Sequence, residues 1–187
     1  IELIPMMFFN KLIAAVLPLM PQKIVWIFSR RYIAGQDLDD AIVAAKKLNR
    51  EGNMVTIDLL GEFITHMSEA EENRDDYFEI IDRVEKSDID GNYSLKPTMF
   101  GLLIDKDACY TIIRDIVKKA VEFDNFVRID MEDSQCVDLE IEIFRKLKKE
   151  FPKNVGLVLQ AYMRRTMQDI NDMLDLSTPD NPVNYRL

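Results

Sequence analysis

Short apolar runs recur along this chain, and each one ends on polar or charged groups. Val127-Arg128-Ile129-Asp130-Met131-Glu132-Asp133-Ser134 shows the form best: buried-looking positions, then three carboxylates and a serine. Val55-Thr56-Ile57-Asp58-Leu59-Leu60-Gly61-Glu62 and Tyr93-Ser94-Leu95-Lys96 are built the same way. Gly156-Leu157-Val158-Leu159-Gln160-Ala161-Tyr162 and Tyr185-Arg186-Leu187 repeat it. Such runs, bounded by turn residues, predict strands at about Met54–Leu60, Tyr93–Lys96, Phe126–Asp130 and Val155–Gln160, with a fifth from near Val183.

Helical periodicity fills the intervals. Asp37 to Arg50 places Leu38, Ile42, Ala45 and Leu48 on one face, and Gly52 in Glu51-Gly52-Asn53 stops it. Ser68-Glu69-Ala70-Glu71 has the capping-box pattern and opens a helix to about Lys86. Asp90-Gly91-Asn92 signals a turn, and Asp107 can cap a helix ending near Phe123. A further helix covers Cys136 to Glu150, closed by Phe151-Pro152-Lys153-Asn154. Another runs from Thr166 to Leu176, and Ser177 to Pro182 is a loop.

Before all this, Met6 to Met20 is apolar but holds Asn10, Lys11 and Pro18, too short and broken to span a bilayer. No small-residue cleavage site follows it. Pro21 suits the first turn of a second helix to about Tyr32, with Ile24, Val25, Ile27 and Phe28 apolar and Lys23, Arg30 and Arg31 wet. A helical layer is the favoured reading; a surface that touches a membrane is the other.

Strand–helix alternation with short connections implies parallel strands and right-handed crossovers. Both a doubly wound sheet and a closed barrel fit. No G-x-G-x-x-G follows the first strand, and polar tips end all five strands, whereas an open sheet gathers its site at one switch point. A full barrel needs about 250 residues. The chain has 187, starts at Ile1 and ends within a strand-like run. The expected fold is therefore α/β, a (β/α)8 TIM-type barrel present as about strands 1–5, with a helical segment at 1–52 and the first half of the barrel at 53–187.

Composition narrows the function. At 48% hydrophobic and 30% charged residues the chain is globular. A net charge of −9 argues against nucleic acid as a partner. Cys109 and Cys136 stand alone, which suits a reducing, cytoplasmic compartment. His66 is the single histidine, so no multi-histidine metal site exists, and no cluster has metal-ligand spacing.

In a barrel, the C-terminal strand ends converge on one mouth. Here it would receive Asp58, Glu62, Lys96, Asp130, Glu132, Gln160, Tyr162 and Arg186. Lysine and arginine among carboxylates can bind an anion in a near-neutral site, and Gln160 offers donor and acceptor to a ring edge. Plainer readings exist for each. Lys96 and Asp130 could form a buried ion pair closing a barrel layer. Glu62 could cap a turn, Tyr162 could be packing, and His66 could be an ordinary loop residue. Arg164 and Arg165 could lie on a solvated helix start or bind a carboxylate of the next loop, and the methionines fill core gaps.

Four stretches, Thr56-Ile57-Asp58-Leu59-Leu60-Gly61-Glu62, Ser94-Leu95-Lys96-Pro97-Thr98, Arg128 to Ser134 and Leu159-Gln160-Ala161-Tyr162-Met163-Arg164-Arg165, resemble flavin-dependent proline dehydrogenase in order and spacing. The resemblance runs from about Tyr32 to Leu187 and is closest to the bacterial monofunctional type. It implies a distorted (β/α)8 barrel holding FAD, with the isoalloxazine over the strand ends. It implies oxidation of L-proline to Δ1-pyrroline-5-carboxylate, with electrons passed to a membrane quinone, and so peripheral contact with the inner face of the cytoplasmic membrane. By motif position Lys96 resembles the lysine near the substrate carboxylate, Asp130 the aspartate of the active-site polar network, and Glu132 a network carboxylate. Gln160 resembles the glutamine that hydrogen-bonds the flavin ring. Arg186 resembles the arginine opening R-[LI]-V-K-G-A-Y, near flavin N5. Glu62 resembles a carboxylate that pairs with a distant arginine and gates the pocket.

Two departures stand out. Ser94-Leu95-Lys96-Pro97-Thr98 differs slightly from the family's Ser-[VI]-Lys-[LP]-[ST]. The rest of R-[LI]-V-K-G-A-Y, three strands and the Y-x-x-R-R that grips proline's carboxylate are absent, and Tyr162-Met163-Arg164-Arg165 follows the fourth strand and is no substitute. The chain alone is therefore expected neither to hold FAD tightly nor to turn over. Its open edges at strands one and five call for a missing half or an association that covers them. The alternatives are a Schiff-base lyase of the aldolase kind using Lys96 as nucleophile, and a non-catalytic folded piece.

Overall fold

A computed structural model describes residues 20–21, 24–26, 33–35 and 37–187. The expected helix at Met6–Met20 and most of the one at Pro21–Tyr32 lie outside the described residues. Residues 24–26 are helical, and the Pro21 carbonyl accepts from the N–H groups of Ile24 and Val25. The chain divides into two compact units, 1–47 and 48–187.

Helix α1 (Leu38–Arg50) opens with Asp37 Oδ1 accepting the Asp40 N–H at 3.0 Å. At its end Gly52 takes φ 83°, and the Asn53 N–H returns to the Leu48 carbonyl, the closure that a left-handed glycine permits. Asn49 then latches the helix end to the turn before the second strand. Its Nδ2 donates to the carbonyls of Asn53 and Asp90, and its Oδ1 accepts from Asp90 N–H.

Five strands follow: β1 (Val55–Ile57), β2 (Gly91–Leu95), β3 (Val127–Ile129), β4 (Val155–Val158) and β5 (Asn184–Arg186). They pair in parallel in the order β1-β2-β3-β4-β5. Unbroken sequential order is that of a barrel wall; a doubly wound sheet reverses direction part-way. Helices α2 (Met67–Lys86), α3 (Lys106–Val121), α4 (Val137–Glu150) and α5 (Thr166–Asp172) make the crossovers, with 3₁₀ turns at Pro97–Phe100 and Leu174–Leu176.

Period-two alternation divides the sheet into two faces. Tyr93, Leu95, Val127, Ile129, Val155 and Leu157 form the outer face and are buried with Ile81, Val84, Ile113, Ile116, Val117, Phe144 and Leu147 of the helices. The inner face is mostly polar. Register aligns Thr56 with Asn92, and Ser94 with Arg128, Gly156 and Asn184. Gly156 is required there, since a Cβ would come within 2.7 Å of the Phe126 ring and 2.9 Å of the Asn184 carbonyl.

Strands β1, β3 and β4 are shorter than expected, whereas β2 begins two residues early because Gly91 and Asn92 pair with Val55 and Thr56 instead of forming a turn; Asp58, Lys96, Asp130 and Gln160 lie just past the ladders. Backbone pairing continues one step beyond in two places, Asp130 N–H to Leu95 O and Leu159 N–H to Arg186 O. Two helix starts also differ. His66, not Ser68, is the N-cap of α2, because Glu69 Oε1 reaches back to the N–H groups of Thr65 and His66. Asp105, not Asp107, caps α3, its Oδ1 accepting from the N–H groups of Asp107 and Ala108. The helix expected over Thr166–Leu176 is α5 followed by a 3₁₀ turn.

Candidate active site

Three strands contribute to the first cluster. Ser94 Oγ on β2 donates to Asp130 Oδ1 just past β3 at 2.5 Å. Arg186 Nη2 on β5 donates to the same oxygen at 2.9 Å and lies 3.5 Å from Ser94 Oγ. Burial pushes the Asp130 carboxyl above the usual range; the Ser94 bond and the Arg186 charge oppose that, and Asp58 adds to it. The Arg186 side chain remains 41% exposed, so its guanidinium is bound on one side and open on the other.

Lys96 makes the second cluster. Its Nζ lies 3.1 Å from Asp58 Oδ2 and 3.8 Å from Glu62 Oε1. Burial lowers the ammonium's pKa, but the Asp58 bond and charge, with Asp130 and Glu62 behind them, hold it above the ordinary lysine value. The plainer expectation of a Lys96–Asp130 ion pair is not what forms. Lys96 bonds Asp58 and faces Glu62, and Asp130 bonds Ser94 and Arg186, although the register carried one residue past the ladder sets Lys96 beside Asp130. Tyr77 on α2 braces this cluster from behind. Its buried hydroxyl donates to the Ser94 carbonyl at 2.7 Å, has Asp58 Oδ1 within 3.3 Å and accepts the Leu59 N–H.

The third cluster is the loop after β3. The Glu132 carboxylate accepts from Thr98 N–H at 2.9 Å and Thr98 Oγ1–H at 2.5 Å, tying this loop to the one after β2. Burial raises the Glu132 pKa, the Thr98 bonds lower it, and the Glu62 charge raises it again. Gln160 Nε2 donates to the carbonyls of Met131 and Glu132 at 3.0 and 3.1 Å. Two carbonyl partners fix the amide: nitrogen faces the loop, and Oε1 remains as an acceptor.

A cavity of about 370 Å³ joins the second and third clusters, with Glu62, Lys96, Glu132, Gln160 and Tyr162 among its walls; Ser94, Asp130 and Arg186 of the first cluster are not among them. Asp130 and Arg186 sit on the inner face beside it. Glu62 faces Lys96 with its side chain 53% exposed. Tyr162 is highly exposed, so it is not core packing. Arg165 binds Asp169 in its own helix and Asp138 on α4, not a carboxylate of the next loop, since both lie on the same side of α5 as its fork.

Sequence reasoning missed Ser94, Thr98, Tyr77, Arg128 and Glu140. Ser94 and Arg128 precede Lys96 and Asp130 by two residues and share their face, so strand periodicity carried that signal. Arg128 lies over the Phe126 ring at 5.0 Å, and its Nε and Nη1 are buried without a partner. Burial, then the nearby Arg186 charge, depress its pKa. Tyr77, Thr98 and Glu140 reach the site from other elements, which no local pattern reveals.

Residues 41–187 match the family model described as proline dehydrogenase. Proline dehydrogenase 1 of Bacillus subtilis (strain 168) is 36% identical over 148 residues, covering 79% of this chain and 49% of that protein. Proline dehydrogenase of Deinococcus radiodurans is 36% identical over 156 residues, covering 81% of this chain and 50% of that protein. The chain thus spans about half the length of the curated relatives it matches. Among solved structures, proline utilization A (PutA) from Bdellovibrio bacteriovorus inactivated by N-propargylglycine superposes with a TM-score of 0.70 at 24% identity, over 77% of this chain and 18% of that one. That likeness, with five parallel strands in sequential order, fixes the fold as α/β, five units of a TIM-like barrel. On the family match and the identity of these relatives, this chain belongs to the proline dehydrogenase family.

Proposed function

We propose that this chain supplies the first five barrel units of an FAD-dependent enzyme that oxidises L-proline to Δ1-pyrroline-5-carboxylate and passes the electrons to a membrane quinone. The observation that carries it is the shared mouth. Lys96, held charged by Asp58, and Gln160, with its acceptor oxygen uncommitted, line one cavity, and Asp130 holds the half-open Arg186 beside it.

The donor set fits a flavin. Arg186 offers a guanidinium with an open side, and Arg128 presents buried nitrogens that lack a partner. Such cations suit a ring that gains negative charge on reduction, and Gln160 Oε1 suits a ring N–H. When bound, the flavin supplies the hydride acceptor. Lys96 is placed to attract the proline carboxylate, which orients the ring of the substrate. Asp130 holds Arg186 in place, and Glu132, bonded to Thr98, keeps the two loops closed on each other. Glu62, facing Lys96 from an exposed loop, is placed to gate access. No side chain named here is assigned as base for the amine proton.

The lyase reading is weaker. A Schiff-base lysine must be neutral to attack, and Asp58 and Glu62 both favour charge on Lys96. Among the described residues β1 and β5 are unpaired edges, so the 187 residues alone are expected not to turn over. We place the enzyme in the cytoplasm against the inner membrane face, where a quinone is reached, and the apolar and basic residues of 21–32 are the proposed contact. No helix among the described residues is long and apolar enough to cross a membrane.

The test is proline-dependent reduction of a dye acceptor with added FAD. The chain is assayed alone and co-expressed with a family segment supplying the remaining strands. Activity only in the complemented sample supports the proposal. Full activity from the chain alone overturns the half-site reading. Borohydride trapping of a carbonyl compound on Lys96, with no flavin absorbance, overturns the oxidase reading in favour of the lyase.

A further inference from the structure

Glu140 lies near the start of α4 and is fully buried. Leu or Met would pack such a position more cheaply, because an isolated carboxylate loses its hydration there. Its Oε1 accepts the backbone N–H of Glu132 at 3.1 Å, and its Oε2 is buried with no partner. Burial pushes its pKa up to about 8, against the lowering effect of the Glu132 N–H; the charges of Glu132, Asp130 and Asp133 raise it further. Its surroundings therefore favour the neutral carboxyl.

Glu132 is held at every polar group. Its N–H goes to Glu140, its carbonyl accepts from Gln160, and its side chain accepts from Thr98. Removing the first of these frees the Met131–Glu132 peptide to rotate, and the carbonyl in that plane, that of Met131, is one of the two that orient the Gln160 amide.

We propose that Glu140 is a positioning residue, a buried side chain behind the β3–α4 loop that fixes the Met131–Glu132 peptide and thereby holds Gln160 with Oε1 toward the mouth. It touches no reacting atom. Its importance for a flavin edge rests on the function proposed above, but the arrangement itself is testable without flavin.

The experiment uses ¹⁵N NMR on the 187-residue chain. Glu140→Gln retains a neutral acceptor, and Glu140→Met matches the volume without one. In the unaltered chain and in Glu140→Gln, the Glu132 N–H exchanges slowly and the Gln160 side-chain amide gives two dispersed, protected protons. In Glu140→Met, Glu132 protection drops at least tenfold, on the order of one lost hydrogen bond, and the Gln160 protons collapse toward free-amide shifts. Retention of Gln160 dispersion in Glu140→Met overturns the proposal, as does its loss in Glu140→Gln. If Glu140→Met does not fold, the unaltered chain decides: Glu132 exchange as fast as an open loop overturns the proposal, and slow exchange supports it. Failure of the flavin reading would instead appear as absent FAD binding in the complemented protein.

Discussion

Arg186 reaches Asp130 across an intervening strand. The two belong to β5 and the end of β3, and Nη2 meets Oδ1 at 2.9 Å over β4. Register explains how. Val158 pairs with Arg186, and Asp130 follows the Ile129–Leu157 pair by one residue, so Val158 lies between them. A short apolar side chain in the middle of the row leaves room for the two polar ones to meet above it.

Because the Arg186 side chain is 41% exposed, its contribution to folding is small. Arg186→Ala is expected to lower the stability of the chain by no more than about 1 kcal/mol in denaturant unfolding. The Asp130 carboxyl responds more strongly. It already titrates above the ordinary aspartate range, and losing Arg186 removes a charge that opposes the shift. Its midpoint, followed by carboxyl ¹³C NMR, should rise further. A stability loss of several kcal/mol with an unmoved midpoint would mean that the pair is architectural.

Lys96 gives a prediction that separates binding from chemistry. In the complemented protein, Lys96→Met should raise KM for proline roughly tenfold or more, the loss of about 1.4 kcal/mol or more of carboxylate binding, with a smaller effect on kcat. Equal losses in kcat and kcat/KM would place Lys96 in the reacting step instead.

Much of this was legible in the chain. Val127-Arg128-Ile129-Asp130 alternates because one face is buried under the helices while the other carries chemistry. The apolar runs overstated strand length, since Leu59, Leu60 and Met131 lie in loops that bend over the strand ends. Pairings were not legible. Whether Lys96 takes Asp58 or Asp130 depends on the offset between strands, and register is a tertiary quantity. Glu140 drew no reading, although it shares a helical face with Val137, Phe144 and Leu147; that spacing marks it as buried, but only the tertiary fold supplies its partner, the Glu132 N–H.

Gly156 offers a test of the sheet itself. A methyl group there would meet both the Phe126 ring and the Asn184 carbonyl. The ring can shift, but the carbonyl belongs to the β4–β5 ladder. Gly156→Ala is expected to destabilise the chain by about 1–3 kcal/mol and to weaken protection of β5 amides selectively. Hydrogen exchange in β5 that matches the unaltered chain would show that strand register differs from that described.

The buried Glu140 makes stability fall with rising pH, the opposite of the usual acid denaturation. Burial raises its folded pKa to about 8, from an ordinary value of 4.5. Between those values the folded chain keeps a proton that the unfolded chain releases, so each pH unit removes up to about 1.4 kcal/mol of stability from this group. Below pH 4.5 both states are protonated and above 8 both are ionised, and the slope vanishes at each end. Asp130 and Glu132, also raised by burial, add slopes of the same sign. Glu140→Gln cannot titrate. Its unfolding free energy should therefore decline less steeply than that of the unaltered chain between pH 6 and 8, and the difference between the two proteins, which is due to Glu140 alone, should be largest at pH 8. Parallel stability curves for the two proteins across that range would mean that Glu140 is ionised in the folded state.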